Sequence, residues 1–174
     1  MNPHVILVDK SDHPLGIMDK LEAHEKGLLH RAFSVFVFND QGQVMIHQRA
    51  LTKYHSPGLW TNTCCSHQQM GETNLEAAHR RLGEEMGFDC DLEEIFEFIY
   101  RAEFSNGLIE HEYDHVLIGH YNEQPNINPE EVNAWKWVNP RWLSKDIAAN
   151  PKQYTEWFKL SWERVIQYQL EKAA

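Results

Sequence analysis

Cations are scarce in this chain. Its 174 residues carry 16 Lys and Arg against 26 Asp and Glu, a net charge of −10. Nonspecific binding to nucleic acid or to an anionic membrane needs the opposite balance, so neither is expected as a function. Cysteine is scarce too. Three residues, two of them adjacent, make a poor disulfide framework and point to a reducing compartment. No apolar run approaches the roughly 18 residues that a membrane span requires. The opening MNPHVILVDKSD lacks the basic-then-apolar pattern of a secretory signal. Repeats, linkers and low-complexity segments are missing as well. The expectation is a cytoplasmic monomer with residues 1–174 as one domain, long enough for a sizeable core.

Aromatic residues and histidine are plentiful: 6 Trp, 8 Phe, 6 Tyr and 11 His. Val5 to Val8 reads as a short strand that ends in a turn at Asp12-His13-Pro14, and Met18 to Gly27 as a short polar helix or loop. Phe33 to Phe38 is a β-branched and aromatic run, the pattern of a buried strand. Asn39-Asp40-Gln41-Gly42 turns it into a return strand from Val44 to Arg49. A loop from Lys53 to Gly58 follows. Ile95 to Phe104 alternates, with Ile95, Glu97, Ile99 and Arg101 on one side and Phe96, Phe98 and Tyr100 on the other. A turn at Ser105-Asn106-Gly107 leads to a strand from Ile109 to Tyr121. Trp135 to Val138 is a last strand, Trp142 begins a short helix, and an amphipathic helix runs from Pro151 through Trp157, Leu160 and Ile166. Mixed strands with helices between and after them predict an α+β fold, a mixed sheet layered between helices.

Chemistry-bearing residues concentrate between Trp60 and Phe88, where Cys64-Cys65-Ser66-His67 precedes a helix. Thr73 and Glu76 form a capping box, Leu75, Ala78, Leu82 and Met86 an apolar stripe, and Gly87 suits a left-handed exit. Glu84 and Glu85 fall in the last turn, against the negative end of the helix dipole, at a cost of about 0.3–1 kcal/mol when exposed. Pairs four apart, Arg80 with Glu84 and Arg81 with Glu85, would return about 0.2–0.5 kcal/mol each. These charges form either a solvated face or a carboxylate pair that awaits a cation.

Elsewhere, Glu110 and Glu112 are two apart on a strand, so their carboxylates point the same way and can reach one ion. Joined by His24, His30 and His67, they would make a mixed nitrogen and oxygen site suited to zinc, manganese, iron or cobalt. Spacing alone does not join histidines from separate segments. Lys20, Arg49, Lys53 and Arg81 are ordinary surface cations or, in so acidic a chain, a diphosphate cradle of guanidinium forks and ammonium groups. Cys65 lies two residues before His67, on the same strand face. Its thiol is a small buried hydrophobe, a proton-transfer group or a nucleophile. Cys64 and Cys90 suit the first of these roles.

Glu72, Arg80, Glu84-Glu85 and Gly87-Phe88 stand at spacings that resemble the Nudix box, with two departures. Ser66 replaces the opening glycine, and Arg81 replaces the glutamate after the arginine. Those departures, with LEAH, LLHRAFS, QRALTKYHSPGLWTNTCCSH, YRAEF and GLIEHEYDHV, resemble the type I isopentenyl diphosphate isomerases over nearly the whole chain. The resemblance implies a Nudix-like fold and a 1,3-proton shift between isopentenyl and dimethylallyl diphosphate through a tertiary carbocation. It implies Cys65 and Glu112 as the proton-transfer groups, with Tyr100 assisting Glu112 and Trp157 facing the cation, although Trp162 is a second candidate. It further implies that His24, His30, His67, Glu110 and Glu112 bind a divalent metal, manganese or zinc. Lys20, Arg49, Lys53 and Arg81 would hold the diphosphate, and Glu85 a magnesium ion against it. Two other classes compete: a Nudix pyrophosphohydrolase that uses Glu84 and Glu85 on magnesium to activate water, and a metal-binding module without turnover.

Overall fold

In a computed structural model, which describes residues 3–174, one mixed sheet holds nine strands among the described residues. They are β1 (His4–Val8), β2 (Pro14–Asp19), β3 (His30–Phe38), β4 (Val44–Arg49), β5 (Trp60–Thr61), β6 (Cys64–Ser66), β7 (Leu92–Glu103), β8 (Ile109–His120) and β9 (Val132–Val138). The helices are α1 (Lys20–Lys26), α2 (Asn74–Met86), α3 (Pro140–Ala149) and α4 (Glu156–Ala173). The central strand is β3. Along one edge it pairs in parallel with β8, from His30 opposite Glu112 to Phe38 opposite His120. Its other edge is shared in turn by β1, β6 and β4, all antiparallel. The sheet thus brings residues 30, 65 and 112, far apart in sequence, to neighbouring strands.

Side chains of β3 alternate between two cores. Phe36 and Phe38 face a layer with Tyr154, Trp157, Phe158 and Trp162 from the C-terminal segment. Phe33, Val35 and Val37 face Ala77, Ala78, Leu82 and Met86 of α2. Helix α2 is built as its sequence predicts at both ends. Glu76 N donates to Thr73 Oγ1 (3.1 Å) and Thr73 N to Glu76 Oε2 (2.8 Å), and Gly87 takes φ 70°. Its stripe differs from expectation. Leu75 is exposed, and Ala77, Arg81 and Glu85 are buried instead.

Other local readings are also corrected. Residues 14–19 form a strand rather than a turn leading into a helix. β2 pairs only with β1 at the sheet's edge, and its side chains stay largely exposed, so it lacks the buried alternation that marks a strand. The expected helix is the shorter α1, capped by Asp19. Strand β7 has an irregularity between Glu94 and Phe96, which turns Ile95 from the predicted outer face towards the α4 core. Pro151–Gln153 is a separate 3-10 turn, and α4 begins at Glu156.

Candidate active site

The site starts from α1. Its C-terminal Gly27 adopts φ 65°, and a Cβ there would come within 3.0 Å of Ile109, so glycine lets the helix end close against β8. His24, in the last turn, is thereby placed over Glu110: its Nε2 lies 2.8 Å from Oε1. His30 opens β3, with Nε2 at 3.3 Å from Glu110 Oε1 and 3.4 Å from Glu112 Oε2. His67, just beyond β6, has Nε2 at 2.9 Å from Glu112 Oε2. The structure therefore brings together all five side chains, from four segments.

The tautomers carry the chemical information. A carbonyl oxygen only accepts, so His24 Nδ1 donates to Lys20 O (2.5 Å) and His30 Nδ1 to Leu28 O (2.9 Å). The Nε2 atoms are left to face carboxylates, a contact that is favourable only with a proton or a cation between. His30 Nε2 is buried and makes no well-formed hydrogen bond. Burial alone would lower the His30 pKa, but Glu110 and Glu112 outweigh it and lift it to about 10. Where the metal-free chain holds a proton, a divalent cation fits. Nδ1 donation to a backbone carbonyl is the usual way a protein orients a ligating imidazole, and His24, His30, His67 and Glu110 have donor atoms mutually within 4.8 Å.

Glu112 also reaches Tyr100, opposite it on β7, whose hydroxyl donates to Oε1. Burial and the neighbouring Glu110 push the Glu112 carboxyl up, but His30 and His67 prevail and hold it below the ordinary range. Cys65 pairs with Ser34 across β6 and β3 and lines the same cleft as Glu112. Burial pushes its thiol up to about 12, against the opposing influence of Arg49, so the sulfur is protonated at neutral pH. Trp157 lines the cleft with Arg49 Cζ 5.3 Å from its ring centre. Trp162 is instead a core residue, stacked on Phe36, with Nε1 donating to Ser144 Oγ at 2.9 Å.

The same cleft is lined by Lys20, Arg49, Lys53, Arg80, Arg81 and Glu85. Arg81 donates to Glu84 and Glu85 at 2.6 Å each and to Ser66 Oγ at 3.0 Å, and lies 3.4 Å from Glu131. Arg80 makes the expected ion pair with Glu84, at 3.6 Å. It also forms a two-pronged contact with Glu72 at 2.6 and 2.9 Å. Among the described residues Arg49 Nε is buried without a partner, the mark of a donor that awaits an anion. Cys64 faces the α2 core, where its Sγ lies 3.5 Å from Glu85 Oε2.

Three contributors were not anticipated. Glu131 pairs with Lys53 in the same cleft. Asp114 is buried beneath the site, with Ser34 Oγ donating to its Oδ2 at 2.8 Å; burial and nearby Glu112 hold it well above the ordinary carboxyl range. Its position two residues after Glu112 on one strand face was the available signal. His55 Nε2 lies 3.2 Å from Glu110 Oε2, although its loop carries no periodicity that would place it there.

Fold and site together define a class. Residues 28–158 match the NUDIX domain family. A protein of solved structure from Deinococcus radiodurans superposes with TM-score 0.75 over 92% of this chain and 98% of its own, at 23% identity. A MutT protein from Methanosarcina mazei superposes with TM-score 0.65 over 81% of this chain and 95% of its own, at 15% identity. Sequence likeness narrows this further. The isopentenyl-diphosphate Delta-isomerase 2 of Photorhabdus laumondii is 51% identical, covering 97% of this chain and 98% of that protein. The isopentenyl-diphosphate Delta-isomerase 2 of Aromatoleum aromaticum is 48% identical over 95% of this chain and 88% of its own. The chain belongs to the isopentenyl-diphosphate Delta-isomerase family, within the NUDIX fold.

Proposed function

We propose that this enzyme interconverts isopentenyl and dimethylallyl diphosphate by a 1,3-proton shift through a tertiary carbocation. One observation carries the reading: the thiol of Cys65 and the carboxylate of Glu112 line a single cleft together with Lys20, Arg49, Lys53 and Arg81. Moving a double bond by one position needs a proton delivered to one carbon and another removed two carbons away, by groups kept from bulk water. In the resting state Cys65 carries a proton and Glu112 can take one; the reverse direction exchanges their roles. Tyr100 donates to Oε1 of Glu112, so it orients the carboxylate and offers its hydroxyl as the route by which the proton is exchanged. The Trp157 ring stands beside the cleft as the face for a developing cation.

Lys20, Arg49, Lys53 and Arg81 would bind the diphosphate, with Arg49 Nε the donor most in need of it. Manganese or zinc held by the histidines, and magnesium held by Glu85, would supply fixed positive charge that favours ionised Glu112 and neutralises phosphate oxygens. His24, His30, His67, Glu110 and Glu112 would hold the first ion. A hydrolase reading is less well supported, because Arg81 stands in place of the box glutamate, and Cys65 with the histidine set would have no part in hydrolysis. We place the enzyme in the cytoplasm as a monomer, with residues 1–174 as one domain.

Proton NMR of the enzyme with isopentenyl diphosphate and magnesium in deuterated water tests this. Dimethylallyl diphosphate should appear, deuterated, with no phosphate released. Phosphate release without isomerisation would establish the hydrolase instead, and bound metal with no turnover would leave a binding module.

A further inference from the structure

Unlike His24 and His30, His55 at the metal cluster turns its Nδ1 to a side-chain hydroxyl and not to a backbone carbonyl. It sits in the loop between β4 and β5, is buried, and stacks on Phe104 with ring centres 5.1 Å apart and planes 9° from parallel. It also stacks on His24 at 5.4 Å and meets Tyr54 and Trp157 edge-on at 5.0 and 6.0 Å. Nδ1 lies 3.4 Å from the hydroxyl of Ser56, a group able to donate, and Nε2 lies 3.2 Å from Glu110 Oε2. A carboxylate oxygen only accepts, so this contact is favourable with the N–H on Nε2 and the lone pair on Nδ1. His24 and His30 carry the proton on Nδ1, against backbone carbonyls. His55 Nε2 meets the Glu110 oxygen that His24 and His30 do not face, a position from which it can orient a ligating carboxylate.

The two oxygens of Glu110 are thereby distinguished. Oε1 faces Nε2 of His24 and His30, whereas Oε2 faces His55. We propose that His55 is a positioning residue of the metal centre, its Nε2–H holding Oε2 of Glu110 so that Oε1 is presented to a divalent cation between His24 and His30. This rests on the reading of that cluster as a metal centre. The loop that carries His55 is tied down at both neighbours. Arg49 Nη2 donates to the His55 carbonyl at 3.3 Å, and Asn106 Nδ2 to the Tyr54 carbonyl at 2.9 Å. The imidazole is thus fixed from behind as well as by Phe104.

Cobalt(II) titration of chelator-treated enzyme, without diphosphate, separates the proposal from the reading beneath it. Wild type that binds no cobalt would remove the metal centre itself. Given one cobalt per chain, His55→Phe keeps an aromatic ring on Phe104 but lacks the donor, and should weaken cobalt binding by about 10- to 100-fold and alter the visible d–d band. His55→Gln restores an N–H near the Nε2 position and should recover most of the affinity and the spectrum. Wild-type affinity in the phenylalanine variant, or equal loss in both, would overturn the role. Should either variant fail to fold, 15N-correlated NMR of the metal-loaded wild type decides: a His55 ring protonated at Nε2 supports the proposal, and one protonated at Nδ1 refutes it.

Discussion

Strand β8 carries a histidine–carboxylate cluster on each face. Glu110 and Glu112 look towards His24, His30 and His67. His115, three residues after Glu112, looks the other way, towards Glu94, Glu97 and Asp12. Both groups have donor atoms close enough to share an ion. They differ in where the protons are. His115 Nδ1 pairs with Glu94 and Nε2 lies 2.9 Å from Asp12 Oδ2, so a single imidazolium bridges two carboxylates and leaves nothing unsatisfied. His24 and His30 spend Nδ1 on backbone carbonyls, and only Nε2 is left for the carboxylates. The same residue types make a closed ion pair in one place and an open coordination set in the other. Which nitrogen the backbone claims decides the difference.

The largest test of that contrast is turnover. Cys65→Ala and Glu112→Gln should each lower kcat by at least about 10²- to 10⁴-fold, the usual contribution of a proton-transfer group, with circular dichroism unchanged. His115→Gln should leave kcat near wild type. Near-normal activity in either of the first two would remove that residue from the mechanism, and a dead His115→Gln would mean the second cluster is not the bystander it is taken to be here.

Metal affinity sharpens the same division. His30→Gln removes a nitrogen that has no other well-formed partner, and should weaken cobalt binding by more than the roughly 10- to 100-fold expected for an outer contact. His115→Gln should bind cobalt as wild type does. Equal losses in the two variants would make the tautomer argument wrong.

In the same cleft, Arg81→Gln should raise KM for the diphosphate by about 10- to 100-fold. That corresponds to the roughly 1.5–3 kcal/mol of a hydrogen bond to a charged group. The fall in kcat should be smaller, because Arg81 touches neither proton-transfer group. It also leaves Glu85 and Glu131 without their common partner, so a lowered melting temperature is expected alongside. An unchanged KM would count against Arg81 as a substrate contact.

The parts of this site that follow from local rules were legible before any coordinates. The capping box and left-handed exit set the limits of α2, and the two-residue repeat put Glu110 and Glu112 on one face. What escaped depends on partners distant in sequence. Arg80 keeps its pair with Glu84, one turn away on its own helix, but its closer, bidentate partner is Glu72, eight residues back, which helix spacing did not foretell. β2 has no buried face to give it a period. His55 sits in a loop held by Arg49 and Asn106, and nothing in the spacing of KYHSPG foretells Glu110. Glu131 meets Lys53 and Arg81 only because β9 is laid against β4.

The smallest expected effect concerns the closed cluster alone. Burial pushes the His115 pKa down, but Glu94 and Asp12 outweigh it, and the folded-state value lies above its ordinary 6.5. A group raised on folding stabilises fully below its unfolded pKa and loses that stabilisation as pH rises through the folded value. Wild type should therefore lose stability relative to His115→Gln as pH rises above 6.5. Buried His47 acts in the opposite sense. Burial lowers its pKa, so its contribution is lost as pH falls below 6.5. Urea unfolding of both proteins at several pH values reads the difference directly. Parallel curves would mean that His115 is not charged in the folded chain, and that cluster would then have to be reconsidered as a second open set of ligands.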